Sequence, residues 1–238
     1  MLTRIAIVML IALLLPGSPA LADATAIAPA HLEDRTFRVF IDDKRVGEHR
    51  FRFSGEPGAF RLESTADFKY RLAFVTVFSY EHECTERWRG GCLVAVASHT
   101  QTGGDEFAVE GAAVEGGFSL EGGKVSRQND ADKGQTLDLD CAWGFAYWTP
   151  ELRGRSPLIN PQDGKVFEVE WEELGETPLK MENESVSARA WTLRSPEDKL
   201  DITLYYDAED RWIGLDSVVE GSRLLRYRPA SSDPFYPG

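Results

Sequence analysis

The chain has 238 residues, 39 Asp and Glu against 26 Lys and Arg, a formal charge of −13 and 42% apolar content. That is enough apolar material for a packed core, and it excludes a disordered or low-complexity polymer. With no cluster of basic residues, the counterion release that drives nucleic-acid binding is missing, so DNA, RNA and anionic lipid surfaces are not expected partners.

Arg4 is the only charge ahead of an apolar run from Ile5 to Leu15. Pro16-Gly17-Ser18-Pro19 ends the run, and Ala20-Leu21-Ala22 puts small residues where a signal peptidase requires them. Residues 1–22 therefore read as a secretory signal peptide cut after Ala22, which sends the mature chain to the periplasm. The run is shorter than the ~20 residues of a membrane span, so no transmembrane segment is expected once the signal is removed. Residues 23–34 are small, polar and patternless, and read as a linker.

From Arg35 onward the period is two. Phe37, Val39 and Ile41 alternate with polar neighbours, Asp42-Asp43-Lys44 turns, and His49, Phe51 and Phe53 alternate back. Phe60 to Lys69 places Phe60, Leu62, Ala66 and Phe68 on one face and Arg61, Glu63, Thr65, Asp67 and Lys69 on the other. Phe74 to Trp88 and Cys92 to Thr102 form the next hairpin, about the turn Arg89-Gly90-Gly91. Further strands are expected at 107–114, 118–121, 124–128, 136–140, 166–172, 186–193, 199–206, 212–219 and 223–228, about fourteen in all. Only Cys141 to Arg153 has a trace of helical spacing, and Pro150 disturbs it.

These elements predict an all-β domain over residues 35–228 followed by a tail, 229–238. The expected fold is a single antiparallel, strongly curved sheet, an open barrel or a sandwich, with a short helix or irregular crossover near 141–155. A membrane barrel is not expected, because the outward faces carry charge, as at Arg61, Glu63 and Asp67 or at Glu168, Glu170 and Glu172.

Three cysteines in an exported chain suggest one disulfide and one free thiol. Strand parity across the 89–91 turn points Cys84 and Cys92 to opposite faces, which excludes that pair. Cys92–Cys141 is the preferred bridge and Cys84–Cys141 the alternative.

The segments at 37–51, 80–93 and 141–164 resemble a bacterial exported family, domain of unknown function sixty-one thirty-four. The resemblance is carried most specifically by Trp88-x-x-Gly91-Cys92-Leu93, Phe145-Ala146-Tyr147-Trp148 and Leu158-Ile159-Asn160-Pro161. It implies a periplasmic β-rich domain and a Cys92–Cys141 bridge, and it transfers no catalytic residue. Cys84 is not part of its pattern.

No constellation fixes a reaction. There is no G-x-S-x-G nucleophile elbow. Cys84 beside His82 reads as a buried small side chain more readily than as an activated thiol, and the Glu168, Glu170 and Glu172 stripe reads as a solvated strand face. Two functional readings remain. In the first, no cofactor is used and aromatic residues Phe51, Tyr80, Trp88, Tyr147 and Trp148 line a place for an apolar small molecule, a lipid or an envelope component. In the second, His49, His82 and His99 all face inward by parity and hold Zn or Cu for an exported metal-dependent enzyme or metal-binding protein.

Overall fold

The computed structural model describes residues 32–72, 75–125, 134–182, 184–219 and 222–234. The expected signal peptide, 1–22, and the expected linker up to residue 31 lie outside the described residues. Strands β1 Arg35–Ile41, β2 Lys44–Glu56, β3 Ala59–Leu72, β4 Val75–Arg89, β5 Cys92–Thr102, β6 Asp105–Val114, β7 Gly117–Lys124 and β8 Gln135–Leu137 form the first half. After them come β9 Leu158–Ile159, β10 Val166–Phe167, β11 Glu170–Lys180, β12 Ser185–Ser195, β13 Leu200–Tyr206, β14 Trp212–Val219 and β15 Arg223–Pro229.

Alternation makes these strands. In β3 Phe60, Leu62, Ser64, Ala66, Phe68 and Tyr70 are buried while Arg61, Glu63, Thr65, Asp67 and Lys69 are exposed. β4 repeats the pattern, burying Tyr80, His82, Cys84, Glu86 and Trp88.

The fold class departs from the expectation. β1 to β8 and β11 to β15 form one 13-stranded sheet in the order β11-β12-β13-β14-β15-β1-β2-β3-β4-β5-β6-β7-β8, and β9 with β10 forms a separate two-stranded sheet. The large sheet is not closed into a barrel, since β8 and β11 remain its two ends, and it is not strongly curled. The edges explain this. β8 has three residues, and β11 exposes Glu170, Glu172, Glu173 and Glu176 and carries Pro178, which has no N–H to donate. The two halves meet where β15 returns to β1, Val39 opposite Tyr227.

The chain between β8 and β11 crosses one face of the large sheet, here the inward face. No helix forms at 141–155; a single 3-10 turn at Pro150–Leu152 is the only helical element among its described residues. The segment places Ala142, Trp143, Ala146, Trp148 and Leu152 in the main core, each at most 3% exposed. It is held by the Cys92–Cys141 disulfide and by a bridge from the Leu93 N–H to the Ala142 carbonyl at 2.9 Å. The bridge joins the expected pair, and Cys84 is free and buried.

The chain beyond β15 is also engaged. Asp233, 5% exposed, accepts from Arg35 Nε at 3.1 Å and from the Thr36 N–H at 2.7 Å. No helix among the described residues is long and apolar enough to cross a membrane.

Candidate functional site

The inward face gathers histidine and tyrosine rings at the middle of the large sheet. His49 on β2, Ala66 on β3, His82 on β4 and Thr100 on β5 stand in one cross-strand row. Because Ala66 is small, the two imidazoles approach to 6.4 Å between ring centroids. One row away Phe68 pairs with Tyr80, their rings stacked at 5.1 Å. Opposite Phe68 on β2 is Gly47, where a Cβ would lie 1.8 Å from the Asp67 carbonyl oxygen, so only glycine permits this approach of β2 to β3.

Tyr227 of β15 closes the group. Its ring lies 5.7 Å from His49, 6.2 Å from Phe68 and 6.3 Å from Trp212, and Trp212 lies 5.9 Å from Tyr147 of the crossing segment. His49 Nδ1 and the Tyr227 hydroxyl share a hydrogen bond at 3.3 Å, and His82 Nδ1 bonds the Thr100 hydroxyl at 2.8 Å. His49, Tyr147 and Tyr227 are half-buried, whereas His82 and Tyr80 are buried.

Burial keeps this surface uncharged. It holds His49 well below the usual imidazole range, with His82 pressing it further down, and holds His82 at about 4, with His99 pressing it further down. The phenols of Tyr80, Tyr147 and Tyr227 and the Cys84 thiol are pushed up by the same desolvation. Cys84 is therefore a thiol rather than a nucleophilic thiolate.

Glu86 is the one carboxyl buried on this face of β4. Desolvation raises it to about 7 against a 2.7 Å hydrogen bond from Trp88 Nε1, which opposes the rise. The folded protein thus holds a proton that the unfolded chain releases near pH 4.5, so stability falls as pH rises from there to about 7. The depressed His82 acts oppositely, and its contribution is lost as pH falls from 6.5 towards 4. Glu86→Gln should therefore raise stability at pH 8 by about 1–3 kcal/mol and leave it nearly unchanged at pH 5, read by urea unfolding at both values. Equal shifts at the two pH values would contradict this.

The metal constellation is not assembled. Val94 is a bulge residue: Arg87 pairs with Ala95 but Trp88 with Leu93. The extra residue reverses parity along β5, so Thr100 takes the inward place beside His82. His99 turns to the opposite face, exposed, with Nε2 2.6 Å from Glu106 Oε1. Among the described residues no group of three or more His, Cys, Asp or Glu is placed to hold a metal ion.

The five aromatic residues singled out from the sequence divide into two groups. Phe51 stacks on His49 at 4.1 Å, Tyr80 lies in the phenol cluster and Tyr147 joins it through Trp212. Trp88 and Trp148, 1% and 2% exposed, belong instead to a packed aromatic knot with Phe60 and Trp143. Tyr227 and Trp212, central to the arrangement, were missed because their place depends on the return of β15 to β1, which no local pattern signals. On the opposite face, an open depression of about 550 Å³ is lined in part by Arg50, Arg52, Glu63, Glu83 and His99. Its mixed charges and exposure make it a poorer candidate.

The chain matches the family described as Domain of unknown function (DUF6134) over residues 37–230. Among solved structures it is similar to one titled as a beta-barrel-like protein of Domain of Unknown Function DUF1849 from Brucella abortus. The TM-score is 0.56 at 10% identity, over 83% of this chain and 94% of that one, a likeness of fold alone. No curated protein matches. Strands β1 to β15, the disulfide and the inward cluster all fall on or beside the matched span, and the chain belongs to this family of domains of unknown function.

Proposed function

We propose that this is a non-enzymatic periplasmic protein that holds an apolar or amphipathic, lipid-like molecule on the inward face. Phe51, Tyr80 and Tyr147 touch the ligand, and Trp88 and Trp148 form the rigid end of the surface behind them. The observation that carries the reading is the lining itself: aromatic rings and neutral imidazoles, half-buried at His49, Tyr147 and Tyr227, with charge suppressed by burial. Such surfaces, apolar with a few polar atoms, suit small-molecule binding. The signal-like residues 1–22 and the disulfide support an oxidising compartment outside the cytoplasm.

Protein purified from the periplasm should release a stoichiometric lipid-like molecule on solvent extraction, or keep it in native mass spectrometry. In a series of aliphatic probes, affinity should rise about 3- to 4-fold per added methylene, since each buried CH₂ contributes ~0.8 kcal/mol. Protein that emerges bare and binds no member of the series would refute the reading.

A further inference from the structure

The fold leaves several polar atoms of the inward cluster uncommitted. The hydroxyls of Tyr80 and Tyr147 make no hydrogen bond among the described residues, and neither is an enclosed orphan. His49 Nε2 is enclosed and has no partner there. The Tyr227 hydroxyl is engaged through His49 Nδ1 alone. These groups sit in one ring network: Tyr80 stacks on Phe68 at 5.1 Å, Phe68 lies 6.2 Å from Tyr227, and Tyr227 reaches Tyr147 through Trp212 at 6.3 and 5.9 Å.

The charges around them are equally informative. Among the described residues no lysine or arginine hydrogen-bonds to, or sits over the ring of, the side chains of Tyr80, Tyr147, Tyr227, His49 or His82. Arg35, seated over the Phe37 ring on β1, is matched by the buried Asp233. Asp163 acts on Tyr80 as a negative charge. A carboxylate or phosphate entering here would lose its water without gaining a counter-cation, which is strongly unfavourable. A neutral oxygen would exchange one hydrogen bond for another at little cost.

Resting on the reading that this face holds an apolar molecule, we infer that the ligand ends in an uncharged oxygen group, a hydroxyl, ketone or ester, hydrogen-bonded by the Tyr80 and Tyr147 hydroxyls. Fatty carboxylates and lipid phosphates are discriminated against. The phenols donate to a ketone or ester oxygen, and with a ligand hydroxyl they can donate or accept. His49 Nε2 is covered and becomes a third partner only after a tilt of its half-buried ring.

The test is displacement of a bound fluorescent aliphatic probe at pH 7.5 by dodecane, dodecan-1-ol, dodecan-2-one, dodecanoate, dodecyl phosphate and dodecylammonium. The alcohol and the ketone should act at concentrations at least tenfold below those of the two anions and the cation. The double variant Tyr80→Phe, Tyr147→Phe keeps both rings. It should weaken the alcohol and the ketone about tenfold while leaving dodecane unchanged, as expected for two lost hydrogen bonds. A charged compound that binds as tightly as the alcohol overturns the inference while the ligand reading stands. So does a double variant with unchanged alcohol affinity. If the probe binds and none of the six displaces it, this inference fails while the ligand reading stands; if the probe itself does not bind, the ligand reading fails and this inference with it.

Discussion

Trp88→Ala should cost about 5 kcal/mol or more, the largest loss expected from a single substitution in this protein. Trp88 is 1% exposed and lies between Phe60 at 6.2 Å, Trp143 at 5.2 Å and Trp148 at 5.5 Å, so its removal opens a cavity that these rigid rings cannot refill. Truncation of a buried Trp costs about 3–5 kcal/mol by packing alone. The same change deletes the N–H that donates to Glu86 at 2.7 Å, leaving a buried carboxyl without its donor for about 1–3 kcal/mol more. Against a net stability of about 5–15 kcal/mol, a melting temperature lower by about 10–20 °C is expected, and failure to accumulate would also agree. Trp88→Phe separates the two contributions. It keeps most of the ring packing, so its smaller penalty should grow from pH 6 to pH 8 as Glu86 ionises. A Trp88→Ala protein that melts within a few degrees of the parent would mean that the knot is not the anchor of the main core.

What was legible in the sequence was whatever period two could encode. Phe60, Leu62, Ala66 and Phe68 alternate with charged residues, and the structure buries the first set and exposes the second. The inward histidines at 49 and 82 follow from the same rule. His99 does not, because the bulge at Val94 sits within Leu93-Val94-Ala95-Val96-Ala97, where every residue is apolar and none marks which one is unpaired. The architecture of the sheet was misread for a related reason. Whether a sheet curls or closes depends on its edges, and the short β8 and acidic β11 are separated by more than 30 residues of crossing chain, beyond the reach of local pattern. Of the inward ring network, Phe51, Tyr80 and Tyr147 stand out in the sequence by their aromatic character. Tyr227, Trp212 and Asp233 required the long-range return of β15 to β1.

Reducing the Cys92–Cys141 bridge should lower stability by about 4 kcal/mol while leaving the native arrangement largely in place. The bridge spans 49 residues, and in the chain-entropy description closing such a loop removes about that much freedom from the unfolded chain. The native side should change little. Trp143, Trp148 and Leu152 stay buried by their own packing, and the Leu93 N–H to Ala142 carbonyl bond of 2.9 Å does not depend on sulfur. Urea unfolding with and without reductant checks both halves. The reduced protein should unfold at lower urea with a steeper dependence, because its unfolded chain exposes more surface, yet its near-ultraviolet spectrum before unfolding should match the oxidised form. Cys84→Ala offers the contrast. Its buried thiol is unbonded and closes no loop, so only about 1–2 kcal/mol of packing should be lost, equally in both redox states. Coincident unfolding curves for oxidised and reduced protein would show that the Trp88 knot and the Leu93–Ala142 bond hold the crossing segment to β5, and that the disulfide contributes nothing beyond them.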